Sequence, residues 1–189
     1  AHKKGFIDIM LNNNGSALTK KRAEQLLDSG LTRLRFSLDA FSPETYKKVR
    51  VGSIPLPRVI KNIEYFLELK EKRNYKLPIV GVNFCVMSHN EHEVEDFVNF
   101  WKSKVDIVAI QRFVPPIPNS EGQAPEKYKK YYSTKQINEP PIDEFKCVQP
   151  FQRVMIKNDK IGPCCVSFNK NLVLGSIHTT SIYDAWHSP

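Results

Sequence analysis

The sequence predicts an α/β fold built on a parallel sheet, followed by a small cysteine-rich segment. Over residues 1–113, short apolar runs alternate with amphipathic helical runs. Such an alternation with short connections requires right-handed crossovers and gives parallel strands. Prolines then interrupt the pattern over residues 114–146, and three of the four cysteines fall between 147 and 165. We therefore divide the chain into a β/α region (1–113), a linker or irregular excursion (114–146) and a C-terminal segment (147–189).

Four strands are predicted in the first region, because each is a short apolar run bounded by polar or turn-forming residues. They are Phe6–Leu11, Leu31–Leu38, Leu77–Met87 and Val105–Phe113.

Helices are predicted between these strands from apolar spacing and from capping residues. Thr19 caps the first helix, which ends before Gly30. Ser42, followed by Pro43 at the first helical position, starts a second helix that reaches about Arg50. Two further helices cover Val59–Leu69 and Val94–Trp101.

The C-terminal segment contains a predicted β-hairpin and a short helix. Val154–Ile156 and Lys160–Gly162 flank an Asn158-Asp159 turn. Ser181 caps a helix that runs to Trp186.

Composition places the chain among globular proteins, with 41% hydrophobic and 25% charged residues in 189. No apolar run approaches the ~20 residues that span a bilayer, and the N-terminus lacks the apolar region of a signal peptide. We expect a cytoplasmic protein without a membrane partner. Thiols stay reduced in that compartment, where clustered cysteines more often hold a metal than a disulfide.

The net charge of +8 raises the question of a nucleic-acid partner. Most lysines are scattered among acidic residues, which favours a solvated surface. Lys127–Tyr132 is the exception, since lysines and tyrosines interleave there. Nucleic-acid binding is therefore kept only as an alternative.

Polar residues gather where the predicted strands end. Because parallel strands bring their carboxyl ends to one edge, and α/β folds bind ligands there, these residues form a candidate site. Asn and Gly also form turns and helix caps, which is the simpler interpretation of any one of them. The residues are Asn12, Asn13, Asn14, Gly15, Ser37, Asp39, Asn83, Gln111 and Arg112.

The clustered cysteines Cys147, Cys164 and Cys165 are candidate metal ligands. Iron–sulfur clusters usually take four thiolates, whereas a structural zinc site could combine cysteines with His178 and His187. Plain burial of the thiols is the third alternative. Adjacent strand residues point to opposite faces, so Cys164 and Cys165 should diverge. Cys85 lies between two apolar residues and is expected in the core.

Several segments together resemble radical S-adenosylmethionine enzymes with a SPASM-type auxiliary iron–sulfur domain. Asn13-Asn14-Gly15 is similar to the Thr-Asn-Gly turn of that family, and Leu34–Ala40 with Glu44-Thr45-Tyr46 and Arg50 resembles its next conserved segment. In the C-terminal segment, Cys147, the Cys164-Cys165 doublet, Leu174–Ile177 and Ser181–Trp186 follow the auxiliary-domain pattern.

The resemblance implies a partial (β/α)6 barrel, with the chain supplying the third to sixth strands, and a start of a SPASM-like domain. It implies a 4Fe-4S cluster and S-adenosylmethionine as cofactors, and a 5′-deoxyadenosyl radical that modifies a peptide, a protein or a small molecule. Cys147, Cys164 and Cys165 would be auxiliary-cluster ligands. The residues implied to line the S-adenosylmethionine site are Asn14, Gly15, Ser37, Arg50, Asn83 and Gln111.

Other roles remain open for some polar residues. Arg50 could instead pair with a helix acid on the surface, and Asp39 could form an internal ion pair with Arg112. His89 and His92 are expected as polar residues at a helix start.

The sequence also departs from the family pattern. It contains no Cys-x3-Cys-x2-Cys loop for the catalytic cluster and no Gly-Gly-Glu-Pro, and Asp159 stands where the auxiliary motif has glycine. We therefore expect a fragment that is inert by itself, with an open sheet edge that favours self-association. The alternative is a non-catalytic binding module of the same architecture.

Overall fold

A computed structural model describes residues 5–113, 130, 131, 133, 152–164 and 172–188. These residues fall into two compact units, the first comprising 5–113 with 130, 131 and 133, the second 152–164 with 172–188. Cys147, Cys165 and the predicted linker, apart from residues 130, 131 and 133, lie outside the described residues.

The first unit contains a four-stranded sheet in the order β1-β2-β3-β4. Every neighbouring pair is parallel, which confirms the predicted sheet. Four parallel strands with intervening helices are the arrangement expected of part of a β/α barrel. The strands are β1 (Met10–Asn13), β2 (Arg33–Ser37), β3 (Ile79–Val86) and β4 (Ile107–Arg112).

The predicted bounds of the first strand were wrong. Phe6 and Ile7 are 61% and 94% exposed, and the strand begins at Met10. The reason is the register, because β2 begins at Arg33 and pairs with Met10. Upstream of that pair, the hydroxyl of Thr32 replaces the ladder by accepting a hydrogen bond from the Ile9 backbone N–H at 2.7 Å.

The helices follow the capping signals of the sequence. α1 (Lys20–Leu27) is capped by Thr19, and α2 (Pro43–Val49) is capped by Ser42. α3 (Leu56–Lys72) is longer than predicted at both ends. Its N-terminal extension includes Pro57, which is tolerated in the first turn because it has no N–H to lose there. α4 (Val94–Trp101) has the predicted bounds and follows a 3-10 turn at Glu91–Glu93.

The helices cover one face of this sheet. Alternate residues of β3 are buried, and they join Leu34 and Phe36 of β2 and the apolar sides of α1, α3 and α4 in one core. The other residues of β3 and β4 lie on the opposite face, because side chains alternate along a strand. We call this second face, which the helices do not cover, the concave face. Of the described residues, it presents Arg35, Ser37, Gly81, Asn83, Cys85, Ala109 and Gln111.

The second unit is a small antiparallel sheet with one helix. β5 (Met155–Lys157) pairs with β6 (Lys160–Gly162), and β6 pairs with β7 (Gly175–Ser176). Asn158 and Asp159 have φ values of 48° and 66°, as a two-residue hairpin turn requires. α5 (Ile182–Trp186) is capped by Ser181 as predicted.

Among the described residues, no helix is long and apolar enough to cross a membrane.

Candidate functional site

Ser37 and Asn83 lie side by side at the carboxyl end of the sheet. They are register partners of the parallel β2–β3 pair, so they project from the same face. Both are half-buried, and neighbouring strands lie about 4.8 Å apart. The sequence placed both residues in a site because each is a polar residue near a strand end and because the family resemblance implies the same. The register brings them together.

Gln111 belongs to the same concave face but lies further along. It is the register partner of Cys85, two residues beyond Asn83 on β3, and it is exposed. With a rise of about 3.3 Å per residue and a strand spacing of about 4.8 Å, Gln111 starts roughly 8 Å from Asn83. A ligand with several polar groups could contact both.

The Asn83 side chain has an unused hydrogen-bonding group. Its Oδ1 atom is buried and has no hydrogen-bond partner among the described residues, and the same holds for Nδ2 of Asn13 on β1. Buried polar atoms are paired in the great majority of cases, so each exception requires an explanation. For Asn83, on the concave face beside Ser37, a ligand with a hydrogen-bond donor would satisfy the oxygen.

Asn14 and Gly15 form the turn that follows β1. The Asn13 side chain accepts a hydrogen bond from the Gly15 N–H at 2.7 Å, and the Asn14 side chain accepts one from the Ser16 N–H at 3.0 Å. Gly15 is buried with φ of +73°, and a Cβ there would lie 2.9 Å from Cγ1 of Val59. Gly15 therefore packs against α3, whereas Asn14 is exposed at the strand end.

Arg50 is engaged by an acid that follows β2. Its Nη2 atom forms an ion pair with Oδ2 of Asp39, a residue that is only 8% exposed. Asp39 thus pairs with Arg50, and not with Arg112 as the sequence left open. The Nε atom of Arg50 is buried and finds no hydrogen-bond partner in the part of the chain that the structure describes. One of its donors is therefore still available, although its charge is already compensated.

Asp39 also connects β2 to β3. Its Oδ1 atom accepts a hydrogen bond from the Cys85 N–H at 2.8 Å, and its backbone oxygen accepts one from Nδ2 of Asn90 at 2.8 Å. Asp39 has φ of 61°, a left-handed conformation in which Asp is tolerated better than most residues. This unusual backbone directs the carboxylate toward β3.

Cys85 lies on the concave face and not in the core, so that prediction was wrong. Its neighbours Phe84 and Val86 are buried against the helices, while Cys85 itself is half-buried on the other side. Burial, with a smaller contribution from the Asp39 carboxylate, raises the pKa of the Cys85 thiol to about 11, against the opposing effect of Arg50. The thiol is therefore protonated at neutral pH.

Sequence inspection missed two buried polar residues after β3. Asn90 is fully buried, and Glu93, 6% exposed, accepts hydrogen bonds from the N–H groups of Phe41 at 2.7 Å and Ser42 at 3.2 Å. Burial alone would raise the pKa of Glu93, but these hydrogen bonds and one from the Ser42 hydroxyl outweigh it and lower the pKa. No signal in the sequence distinguishes these two residues from ordinary loop polars, since the bonds that connect them to the loop after β2 span about 50 positions.

In the second unit, Cys164 is half-buried two residues after β6 ends. His178 lies with Nε2 3.6 Å from Oδ2 of Asp159, and both side chains are largely exposed. Asp159 adopts a positive φ of 66°, a conformation that glycine takes without strain. In the part of the chain that the structure describes, no group of three or more His, Cys, Asp or Glu side chains could hold a metal.

The fold and the polar strand ends thus define an α/β protein with a candidate ligand site at the carboxyl edge of a parallel sheet. A family model described as the Radical SAM superfamily matches residues 1–100, which is more than half of the chain. The chain belongs to the radical SAM superfamily.

Several curated proteins resemble the chain. The "Probable GTP 3',8-cyclase" of Methanococcus aeolicus is 35% identical over 125 residues, which are 66% of this chain and 36% of the relative. The "GTP 3',8-cyclase" of Alkaliphilus metalliredigens is 35% identical over 127 residues (66% and 36%), and that of Limosilactobacillus fermentum is 34% identical over 128 (68% and 35%). The chain spans about a third of the length of the curated relatives it matches.

Membership of the superfamily implies a 4Fe-4S cluster and S-adenosylmethionine in the intact protein. The concave face fits S-adenosylmethionine, because Asn83 Oδ1 is a buried acceptor to which none of the described residues donates a hydrogen bond. The cysteines of this chain do not fit the catalytic cluster, since the four of them include no Cys-x3-Cys-x2-Cys spacing.

Proposed function

We propose that this chain forms part of an enzyme that binds S-adenosylmethionine against the concave face and modifies a peptide, a protein or a small molecule. One observation carries the proposal: Asn83 Oδ1, beside Ser37, is buried and has no hydrogen-bond partner within the described ranges. When bound and reductively cleaved, S-adenosylmethionine supplies a 5′-deoxyadenosyl radical that abstracts hydrogen from a substrate.

We call the residues proposed to contact or shape the S-adenosylmethionine site the cofactor wall, and each has a separate role. They are Asn14, Gly15, Ser37, Arg50, Asn83 and Gln111. Asn83 Oδ1 accepts a hydrogen bond from an ammonium or hydroxyl group, and the Ser37 hydroxyl serves as a second donor or acceptor. Gln111 and Asn14 supply amides at the outer edge of the site. Gly15 shapes the turn by allowing close approach to α3. Arg50 contributes through its pair with Asp39, and its buried Nε–H group is a donor for a carboxylate.

Equilibrium binding of S-adenosylmethionine tests the wall. We expect Asn83→Ala and Ser37→Ala to weaken binding to the complete gene product containing these residues by about five- to tenfold each, since a hydrogen bond contributes about 1 kcal/mol. Asn99→Ala, an exposed position on α4, is the matched control. Unchanged affinity in both site variants would contradict the proposal.

Turnover tests the reaction class separately. After anaerobic cluster reconstitution, the complete gene product should release 5′-deoxyadenosine when dithionite is added. The chain of 189 residues alone should release none, because it lacks the three-cysteine loop. Product formation by the short chain would contradict that expectation.

We further propose that Cys147, Cys164 and Cys165 belong to a SPASM-type auxiliary cluster, in keeping with the half-buried position of Cys164 and the glycine-like backbone of Asp159. Iron and sulfide content of the reconstituted complete gene product tests this. Cys164→Ser should lower both, and Cys85→Ser, with its thiol on the other unit, should lower neither.

A purine nucleotide is a second candidate substrate. Relatives that are 34–35% identical are named GTP 3',8-cyclases. If GTP is the substrate, it should increase the formation of 5′-deoxyadenosine and should itself be consumed. A lack of GTP consumption would leave the peptide, protein or other small-molecule class.

Domain organisation, location and self-association complete the proposed function. We propose domain boundaries at 113/114 and 146/147, a cytoplasmic location that keeps the thiols reduced, and self-association of the 189-residue chain through the outer edge of β1. In support of the last point, Met10 and Leu11 are 48% and 38% exposed on that strand. Sedimentation of the chain tests it, and a monomer at all concentrations would contradict it.

A further inference from the structure

Two loops at the carboxyl edge of the sheet are joined by buried polar side chains. One loop follows β2 and contains Asp39, Phe41 and Ser42, and the other follows β3 and contains Asn90 and Glu93. Their hydrogen bonds bridge residues 46 to 52 positions apart in the chain. We call Asp39, Asn90 and Glu93 the inter-loop network. It lies directly beyond Ser37 and Asn83.

Both the amide nitrogen and the amide oxygen of the Asn90 side chain have hydrogen-bond partners. Its two Nδ2 protons point to two backbone oxygens, that of Asp39 at 2.8 Å and that of Cys85 at 2.9 Å. Its Oδ1 atom accepts a hydrogen bond from the Met87 N–H at 2.7 Å, and the residue is fully buried. Only an amide provides two donors and an acceptor in this arrangement. A carboxylate here would face two carbonyl oxygens without a donor.

Glu93 holds the other side of the first loop. It accepts hydrogen bonds from the Phe41 and Ser42 N–H groups and from the Ser42 hydroxyl, so it supports the start of α2 from outside that helix. The side chain is 7% exposed, and the imidazole of His92 lies beside it, with Nε2 3.8 Å from Glu93 Oε1. A buried carboxylate with three donors is costly to disturb, because loss of one partner leaves charge unsolvated.

The network bonds to the chain just beyond the proposed cofactor residues on both strands. Asp39 is two residues beyond Ser37, and it accepts a hydrogen bond from the N–H of Cys85, which is two residues beyond Asn83. The Leu38 N–H donates to the Asn83 backbone oxygen at 3.1 Å. The β2–β3 register pairs Ser37 with Asn83, and these bonds continue the connection between the two strands at the end of the sheet where the proposed ligand binds.

We propose that Asn90 and Glu93 are positioning residues that hold Ser37 and Asn83 at the spacing needed to bind S-adenosylmethionine. The inference rests on the proposed function. It assigns to the loop after β3 the role of holding the cofactor-contacting residues in position. Neither residue contacts the cofactor in this scheme. Both act through the loop that follows β2.

Backbone amide exchange measured by NMR on the ligand-free chain tests the positioning itself. Asn90→Asp should accelerate exchange at Leu38 and Cys85 at least tenfold, while the Val82 amide in the middle of β3 is unchanged. Glu93→Gln, a milder change that keeps the shape of the side chain, should do the same at Phe41 and Ser42. Glu95→Gln, at an exposed position on α4, is the matched control.

Affinity for S-adenosylmethionine, measured on the complete gene product, tests the consequence. Asn90→Asp and Glu93→Gln should each weaken binding at least fivefold, and Glu95→Gln should leave it unchanged. Faster exchange at the loop amides with unchanged affinity would overturn the inference. So would an equal acceleration at every amide including Val82, because that result indicates a general loss of stability.

The two proposals can fail separately. If the wild-type protein does not bind S-adenosylmethionine, or if Asn83→Ala and Ser37→Ala bind it normally, the proposed cofactor wall is wrong. If those variants lose affinity but the Asn90 and Glu93 variants do not, the wall stands and the positioning role is wrong.

Discussion

Replacement of Gly15 by alanine should destabilise the first unit more than the same change at another glycine of similar backbone. Gly15 has φ of +73° and Gly52 has φ of +79°, so alanine is strained at both. A left-handed conformation costs a non-glycine residue about 1–2 kcal/mol. The surroundings differ, because a Cβ at Gly15 would lie 2.9 Å from Val59 Cγ1, whereas at Gly52 it would meet no atom within 4 Å.

The contact at Gly15 adds a second cost. Carbon atoms pack at about 3.5–4.0 Å, so Val59 must shift, and Val59 is fully buried with Ile63 beside it. Overpacking a tight core typically costs about 1–3 kcal/mol. We therefore expect about 2–5 kcal/mol for Gly15→Ala and about 1–2 kcal/mol for Gly52→Ala, from the sum of the two terms.

Urea unfolding followed by circular dichroism measures both variants against the wild-type chain. The difference between the two free energies of unfolding isolates the contact with α3, because the backbone term is common to both. Equal losses at Gly15 and Gly52 would refute the reasoning, since the turn after β1 would then not depend on close packing.

Burial and charge support three further predictions. Alkylation of Cys85 by iodoacetamide, followed by mass spectrometry, should be slow at pH 8 and accelerate roughly tenfold per pH unit up to its pKa of about 11; a plateau near pH 9 would contradict this. Because the pKa of Glu93 is lowered from 4.5, its ionised form stabilises the fold above that pH, and the contribution is lost as the pH falls through the folded-state pKa. The free energy of unfolding of the wild type, measured with urea, should therefore fall more steeply below pH 5 than that of Glu93→Gln. The same pH dependence in both proteins would contradict this. Trp101→Ala should lower the free energy of unfolding by about 3–5 kcal/mol in the same assay, because Trp101 is 1% exposed and its ring centroid lies 5.0 Å from that of Phe100. A loss below 1 kcal/mol would show instead that neighbouring side chains fill the cavity.

Helices were easier to predict than strand ends. Thr19 and Ser42 cap helices as their sequence positions indicate, because a cap depends on residues three positions away. The first strand was misplaced because Phe6 and Ile7 look like strand residues, yet β2 offers partners only from Arg33 onward. A strand is defined by its neighbour, and the neighbour is 23 positions distant.

The candidate site shows the same division. Ser37 and Asn83 could be singled out as polar residues near strand ends, but nothing local indicates that they are register partners. Cys85 was expected in the core because its neighbours are apolar, whereas the alternation of β3 puts it on the concave face.

The sequence by itself therefore determined the α/β class, the parallel sheet, the helix caps and the resemblance to the radical SAM superfamily, because these depend on periodicity and on short motifs. Only the tertiary structure decided that Asp39 pairs with Arg50, that Asn90 and Glu93 join two loops, and that Asn83 keeps a buried oxygen without a partner. The physical reason is that these hydrogen bonds and ion pairs form between atoms that folding brings together. They join residues that are distant in the sequence, so local sequence patterns do not predict them.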